Sequence, residues 1–591
     1  MRLSSRHPFL APIALLAGFL ACNSTDRGFY RDPTLIGQDD ADAGAAPEPP
    51  SCEGQRCSAD LHKIIDWCTG QVIQECATGI GCYAGKCTTA CESASNAQGS
   101  VGCSFWATPA DTIRVSEGSC FAAFIANTWN TPVNVEAGFG DAPLDVSKSI
   151  YRAVVNDDRS VRYEPIEGPI PPGEIGIVFL AQSGQIPGAK DYIACPHGVN
   201  VAYGGDVVTE HATSLYKAFH LSTDAPVAAY SIFPYGGARS YVPAATLLLP
   251  SSSWGTNYVL VDAWPQNTGS PFVQIVAKED DTVVRVRPNV DVLDGVRVSG
   301  GPRGSVTTWN LKRGQVLEFM QKASLAGSPL EATKPVAVFG GNQCALIPDG
   351  RLACDTLHQQ IPPLQQWASR YSAVPYKSRR TGIQGSEPAP ENVHYRLVGA
   401  REDTMLSYEP AMPVGAPAKL TAGQVVDFSS TVPFTVKSQG GDHPIYLAVY
   451  MSGSTTYNTL GDPDFVNIIP DEQFLDRYVF FVDHTYADSS ITVVRRKDQR
   501  GMHDVTLECF GALTDWRPLG KDGSVEYTWL DLTKRGKAVN TPKGTCSYGR
   551  HEAKSDGPFS VYVWGMDVDA SYGFPAGAGS RPTTPYKIEV R

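Results

Sequence analysis

One pattern, recurring at intervals of roughly 110 residues, limits what this chain can fold into. Pro250-x3-Trp254-x3-Tyr258 returns as Pro363-x3-Trp367-x3-Tyr371 and as Pro470-x3-Phe474-x3-Tyr478. Other marks follow in the same order. Acidic turns at Glu279-Asp280-Asp281 and Glu402-Asp403 each separate two apolar runs. Leu311-x2-Gly314-Gln315-x3-Phe319 matches Leu420-x2-Gly423-Gln424-x3-Phe428. Pro335 and Pro444 each open an apolar run, with weaker echoes at Pro226 and Pro558. These marks define four related units, 104–249, 250–362, 363–469 and 470–591. Residues 282–287 largely alternate apolar and polar side chains, and 336–339 are continuously apolar, as half-buried and core strands are. A unit is about the size of a β-sandwich domain and about twice a four-stranded propeller blade. The expected fold is all-β, with tandem β-sandwich-like repeat units preceded by a small disulfide-rich module. The alternative is a β-propeller with two blades per repeat. Trp254, Trp367 and Phe474 read most simply as core or inter-unit packing residues, with a row of sugar-stacking aromatics as the competing reading. The 56 Gly and 44 Pro of the 591 residues supply turns between short strands. The one short helix candidate is 61–67.

Cysteine usage sets the compartment. The chain has 15 Cys and no C-x-x-C pair, which points to disulfides in an oxidising compartment. The odd one is explained at the N-terminus. Arg2, Arg6 and His7 precede an apolar run from Pro8 to Ala21, too short to span a bilayer as a resident helix. Gly18-Phe19-Leu20-Ala21-Cys22 resembles the lipobox of bacterial lipoproteins, with Phe19 where Leu is usual. Residues 1–22 therefore read as a lipoprotein signal ending at a lipidated Cys22. The competing reading is an ordinary secretory signal. Residues 23–51, acidic and Pro-rich, read as a tether.

Eight cysteines crowd the module 52–103: Cys52, Cys57, Cys68, Cys76, Cys82, Cys87, Cys91 and Cys103. So short a segment builds little apolar core, so disulfides are expected to hold it. A zinc site is the weaker alternative, because His62 is the segment's single His. Of the remaining six, nearest-neighbour pairing gives Cys120–Cys195, Cys344–Cys354 and Cys509–Cys546.

The search for chemistry yields exclusions. Net charge is −12 with no basic cluster, which argues against a nucleic-acid partner. There is no G-x-S-x-G, no phosphate loop, no dinucleotide fingerprint and no H-E-x-x-H; His551-Glu552 is not followed by a second His. The chain therefore reads as no enzyme. No cofactor is expected, with Ca²⁺ at the acidic turns as a weak alternative. Asp462/Asp464 and Asp567/Asp569 each place two carboxylates on one face of a strand. They read as solvated edges rather than metal sites.

One resemblance emerges from several motifs in order. Cys354-Asp355-Thr356-Leu357-His358-Gln359-Gln360, continuing to Trp367, joins Ala245–Pro250, Gly461-Asp462-Pro463 and Ser571–Gly577. Together they resemble the IgGFc-binding protein N-terminal domain family over roughly 104–591. The resemblance implies an extracellular, β-rich protein that binds rather than catalyses. Its members in bacteria are commonly secreted or lipid-anchored. Cys354, Asp355 and Gln360 match the family motif, but Thr356 and Gln359 stand where the family has His and Glu. Any role of that pair is absent or altered here. The expectation is a lipid-anchored binding or adhesion protein of the bacterial cell envelope. Its ligand would be an extracellular protein or glycan, and it would touch the membrane through the anchor only. The alternatives are a secreted carbohydrate-active enzyme or its binding module, and a structural envelope protein.

Overall fold

The computed structural model describes residues 54–66, 68–156, 160–380 and 387–591. Cys22, the tether and Cys52 lie outside the described residues. The regular structure is almost entirely strand, as the apolar alternation requires.

The small module begins with a three-stranded sheet, Gln55–Cys57, Lys63–Asp66 and Val72–Glu75, followed by a hairpin of Ile80–Tyr83 and Lys86–Thr89. The helix expected at 61–67 is not there. Ile64 and Ile65 sit in a strand paired on both sides. The helix is α1, Ala90–Ala97, which buries only Ala90, Ser93 and Ala94. That stripe has helical spacing but small side chains, so it carries no apolar signal. Cys57–Cys82, Cys76–Cys87 and Cys91–Cys103 are bonded, and Cys68 is also disulfide-bonded. These cysteines therefore hold no zinc, and His62 packs against Trp129 with ring centroids 4.2 Å apart. Cys120–Cys195, Cys344–Cys354 and Cys509–Cys546 bridge within units of the β body. So many disulfides belong to an oxidising compartment outside the cytosol. Among the described residues no helix is long and apolar enough to cross a membrane.

Each repeat ends in one antiparallel pair: β1 (Phe219–Phe233) with β2 (Ala244–Leu248), β3 (Pro329–Ala345) with β4 (Asp355–Ile361), β5 (Ile445–Met451) with β6 (Asp464–Asn467), and β7 (Gly549–Asp567) with β8 (Ala570–Pro575). The repeated prolines explain why three outer strands are so long. Pro335 does not open a strand; it lies inside β3, where pairing shifts register. Before it, β3 pairs with Thr282–Val286; beyond it, with Pro271–Ala277 and β4. A proline cannot donate to the ladder, so it sits where one strand leaves one layer for the next. Pro226 in β1 and Pro558 in β7 stand at equivalent breaks. In the third unit the strand stops instead. Pro444 precedes β5, and two separate four-stranded sheets face each other as a sandwich.

The Pro-x3-aromatic-x3-Tyr motif is a corner. Each proline caps a single 3₁₀ turn, and the strand after it presents the tyrosine. The hydroxyls of Tyr258, Tyr371 and Tyr478 each donate to the carbonyl just after the repeated proline: Val336, Ile445 and Phe559, all at 2.6 Å. Trp254, Trp367 and Phe474 are buried, hence core residues and not a sugar-stacking row.

The four units close on themselves. β2 packs against β4, β4 against β6, β6 against β8, and β8 back against β2. The apolar cores lie between units. One joins Phe105 and Leu221 of the first to Trp254 and Phe339 of the second. Others join Leu317 to Phe465, Tyr395 to Trp564, and Phe124 to Phe481. The seam between first and last units is sewn by Tyr230, whose hydroxyl donates to Val479 and Ala576 carbonyls, and by a bridge between Gly99 and Gly579. The units are sandwich-like blocks around filled inner strands, not blades around a channel.

Candidate functional site

Because all four inner strands follow a hairpin loop and the first three lead into a corner, the array has two distinct ends. At the corner end, Gln360 accepts from the Leu249 N–H at 2.7 Å, its own N–H donates to Thr246 Oγ1, and its carbonyl accepts from Asn467 Nδ2. Gln366 donates to the Ser253 carbonyl and Gln473 to the Gln366 carbonyl, stitching successive corners. The cavity here, lined by Leu249, Gln360, Tyr446, Asn467 and Pro470, leaves about 30 Å³ open to water centres. That admits a water or two, whereas ligand pockets are about 300–1,000 Å³.

The loop end differs. Loops 346–354, 452–463 and 568–569 touch: the Gly453 N–H donates to Ile347, and Ser454 Oγ to Asp569 Oδ1 at 2.7 Å. Loop 234–243 also reaches this end, where Gly237 lies close against the Tyr486 hydroxyl. Asp355 and Asp464 are the first residues of β4 and β6, and Asp462 lies just before. All three are buried, which corrects the expectation of solvated edges: the spacing places Asp462 and Asp464 on one face, and that face is the inner one. Neither oxygen of Asp355 has a hydrogen-bond partner, nor has Asp462 Oδ2, Asp464 Oδ2 or the Tyr486 hydroxyl. Burial, with repulsion from Asp462 and Asp464, pushes the Asp355 carboxyl well above the ordinary range. Burial raises Asp462 to about 7, against a hydrogen bond from the Ser454 N–H. Burial alone raises Asp464.

Of the family motif, Cys354 is bonded to Cys344 and pins the loop immediately before Asp355. Thr356 and Gln359 carry inter-unit hydrogen bonds, to Thr112 Oγ1 at 3.0 Å and to the Ala245 and Gly573 carbonyls. The acidic turns are exposed: Glu279 pairs with Lys334, Asp403 with Lys419, and Asp280 accepts from the Arg313 N–H. Asp567 accepts from the Ala487 and Val568 N–H groups. Glu508, Cys509 and His551 gather as a metal site would, but Cys509 is spent in a disulfide.

A second polar cluster lies between the first two units. His211 Nδ1 meets Asp111 Oδ1 at 2.6 Å, and Gln343 Nε2 donates to the same oxygen at 3.0 Å. The hydrogen bond to Asp111 raises His211 to about 9 against its burial. Gln274 links Glu318, Tyr216 and His358, and burial holds His358 neutral, down at about 3. No sequence motif marks Asp111, His211 or Tyr486: Asp111 and His211 stand 100 residues apart in the first unit, and the acids that face Tyr486 lie in other units.

The family model described as IgGFc binding protein matches residues 244–565, more than half of the chain and the first three inner strands. The human IgGFc-binding protein is 24% identical over 274 residues, covering 45% of this chain and 4% of that protein. The chain thus matches a small part of that relative's length. No solved structure matches.

Proposed function

Because the chain belongs to the IgGFc-binding protein family, we propose that it is an extracellular adhesion protein that binds a protein partner on its loop end. The carrying observation is a closed ring whose four hairpin loops collect at one end. Leu352, Val568 and Tyr241 stand on these loops at 77%, 59% and 49% exposure, apolar side chains available to a partner surface. Disulfides pin the base of loop 346–354, so little ordering is needed on binding. The basic leader, apolar run and Cys22 support lipid anchoring at a bacterial envelope, with 23–51 as the tether. A glycan is the second ligand class.

The test uses the full chain on a biosensor. An IgG Fc fragment is the first probe, because the human relative is named for it, and mucin glycoproteins are the second. The expected result is binding that survives deglycosylation of the probe and weakens at least about tenfold in Leu352→Asp and Val568→Asp. Binding abolished by deglycosylation, or unchanged in both variants, overturns the protein-docking reading. For the anchor, Cys22→Ser is expected to release the protein from membranes; retention overturns it.

A further inference from the structure

The loop end holds more buried acceptor oxygen than its own donors satisfy. Asp355 contributes two orphan oxygens, Asp462 and Asp464 one each, and the Tyr486 hydroxyl a fifth unpartnered atom. Each of these residues is at most 1% exposed. Orphan buried carboxylates cost several kcal/mol unless something compensates them. Three compensations are conceivable. A cationic side chain is the first, and the nearest, Arg379, is committed. It makes a bidentate bond to Glu391 and donates to the Ser452 and Leu460 carbonyls. Protonation is the second; it removes the charge, but each of these oxygens still stands without a hydrogen-bond partner. A bound cation is the third.

We infer that the loop end binds one divalent cation between Asp355 and Asp464, with Asp462 and the Tyr486 hydroxyl completing the oxygen set. The donors are all hard oxygens, with no His or Cys among them, which selects Ca²⁺ over zinc or copper. No three of these carboxylates bring oxygens within 4.8 Å of one another as they stand. A cation would therefore draw at least one side chain inward, and waters would fill its remaining positions, as Ca²⁺ with its flexible shell of six to eight oxygens allows. The consequence is mechanical. Asp355 follows loop 346–354 and Asp462 and Asp464 close loop 452–463, so one ion would tie two hairpin loops together beneath the exposed Leu352. The inference stands independently of which partner docks there.

The experiment is calorimetric titration of the chelator-treated full chain with CaCl₂, for the parent, Asp355→Asn, Asp464→Asn and the exposed-turn control Asp280→Asn. One high-affinity Ca²⁺ per chain is expected. Both buried variants are expected to weaken it at least about tenfold, and the control to leave it unchanged. The circular dichroism of each variant in chelator reports whether it is folded, and either buried variant alone suffices. Absence of Ca²⁺ binding by the parent, or equal binding by a folded Asp355→Asn or Asp464→Asn, overturns the inference.

Discussion

The same four strands end in two different ways. At the corner end, amides meet amides and carbonyls until Gln360, Asn467, Gln366 and Gln473 form a stitched network. At the loop end, acids collect, and both oxygens of Asp355 and one each of Asp462 and Asp464 find no donor. Opposite ends of the strands thus carry different polar chemistry, although Asp471 of the third corner, paired with Arg370, also keeps one oxygen without a partner. A satisfied buried network specifies structure, since every member fixes its neighbours. An unsatisfied one persists in a native protein only where something else completes it. The difference teaches that the corners build the ring and the loops use it.

The largest expected effect breaks both ends together. No core belongs to a single unit, since one cluster joins units one and four and another joins three and four. Removing 470–591 therefore exposes half of two cores and opens the ring. The remaining chain is expected to lose cooperative thermal unfolding and to aggregate; a sharp calorimetric transition in the truncated protein contradicts interlocked units.

Next in size is Gln360→Ala. It leaves the buried Leu249 N–H without an acceptor and enlarges a cavity already present, and is expected to cost about 2–4 kcal/mol in denaturant unfolding. Tyr371→Phe removes one hydroxyl from a corner and leaves the Ile445 carbonyl short of a donor. The expected cost is about 1–2 kcal/mol, with Tyr258→Phe and Tyr478→Phe alike because the contact is the same. A tyrosine series that scatters widely would mean that the corners are not equivalent.

A smaller effect concerns the paired cluster at the first seam, which neither end resembles. His211 faces Asp111, Glu117 and Asp206, and its folded value is raised to about 9. A raised value means that the folded state holds the proton more tightly than the unfolded chain. The stabilisation is complete below roughly pH 6.5 and is lost as pH rises through about 9. The melting temperature of the parent is expected to fall more between about pH 7 and 10 than that of His211→Gln; parallel profiles would remove His211 from the account.

The contrast between the ends also shows what the sequence could carry. The repeat, the strand content and the sparse local cysteine pairs are legible because each is written in short-range spacing. Pro335 is visible as a mark but not as a crossing point, because the shift it permits depends on two partner strands. Asp462 and Asp464 are visible as one face, yet the choice of inner face is made by β4 and β8 from other units. Tyr486 comes beside Asp355 only when the ring closes, and His211 meets Asp111 across 100 residues of the first unit. Helix α1 escaped notice for a different reason: its buried stripe is Ala and Ser, which leave no hydrophobic period.

The most direct test of the contrast is a thermal-unfolding comparison, in chelator, of the parent, Gln360→Ala and Asp355→Asn. The account predicts opposite behaviour. Gln360→Ala melts well below the parent, while Asp355→Asn melts at or above it, because an amide is easier to bury than an uncompensated acid. If Asp355→Asn falls as far as Gln360→Ala, the loop end is as structurally committed as the corner end, and the division of labour between them is wrong.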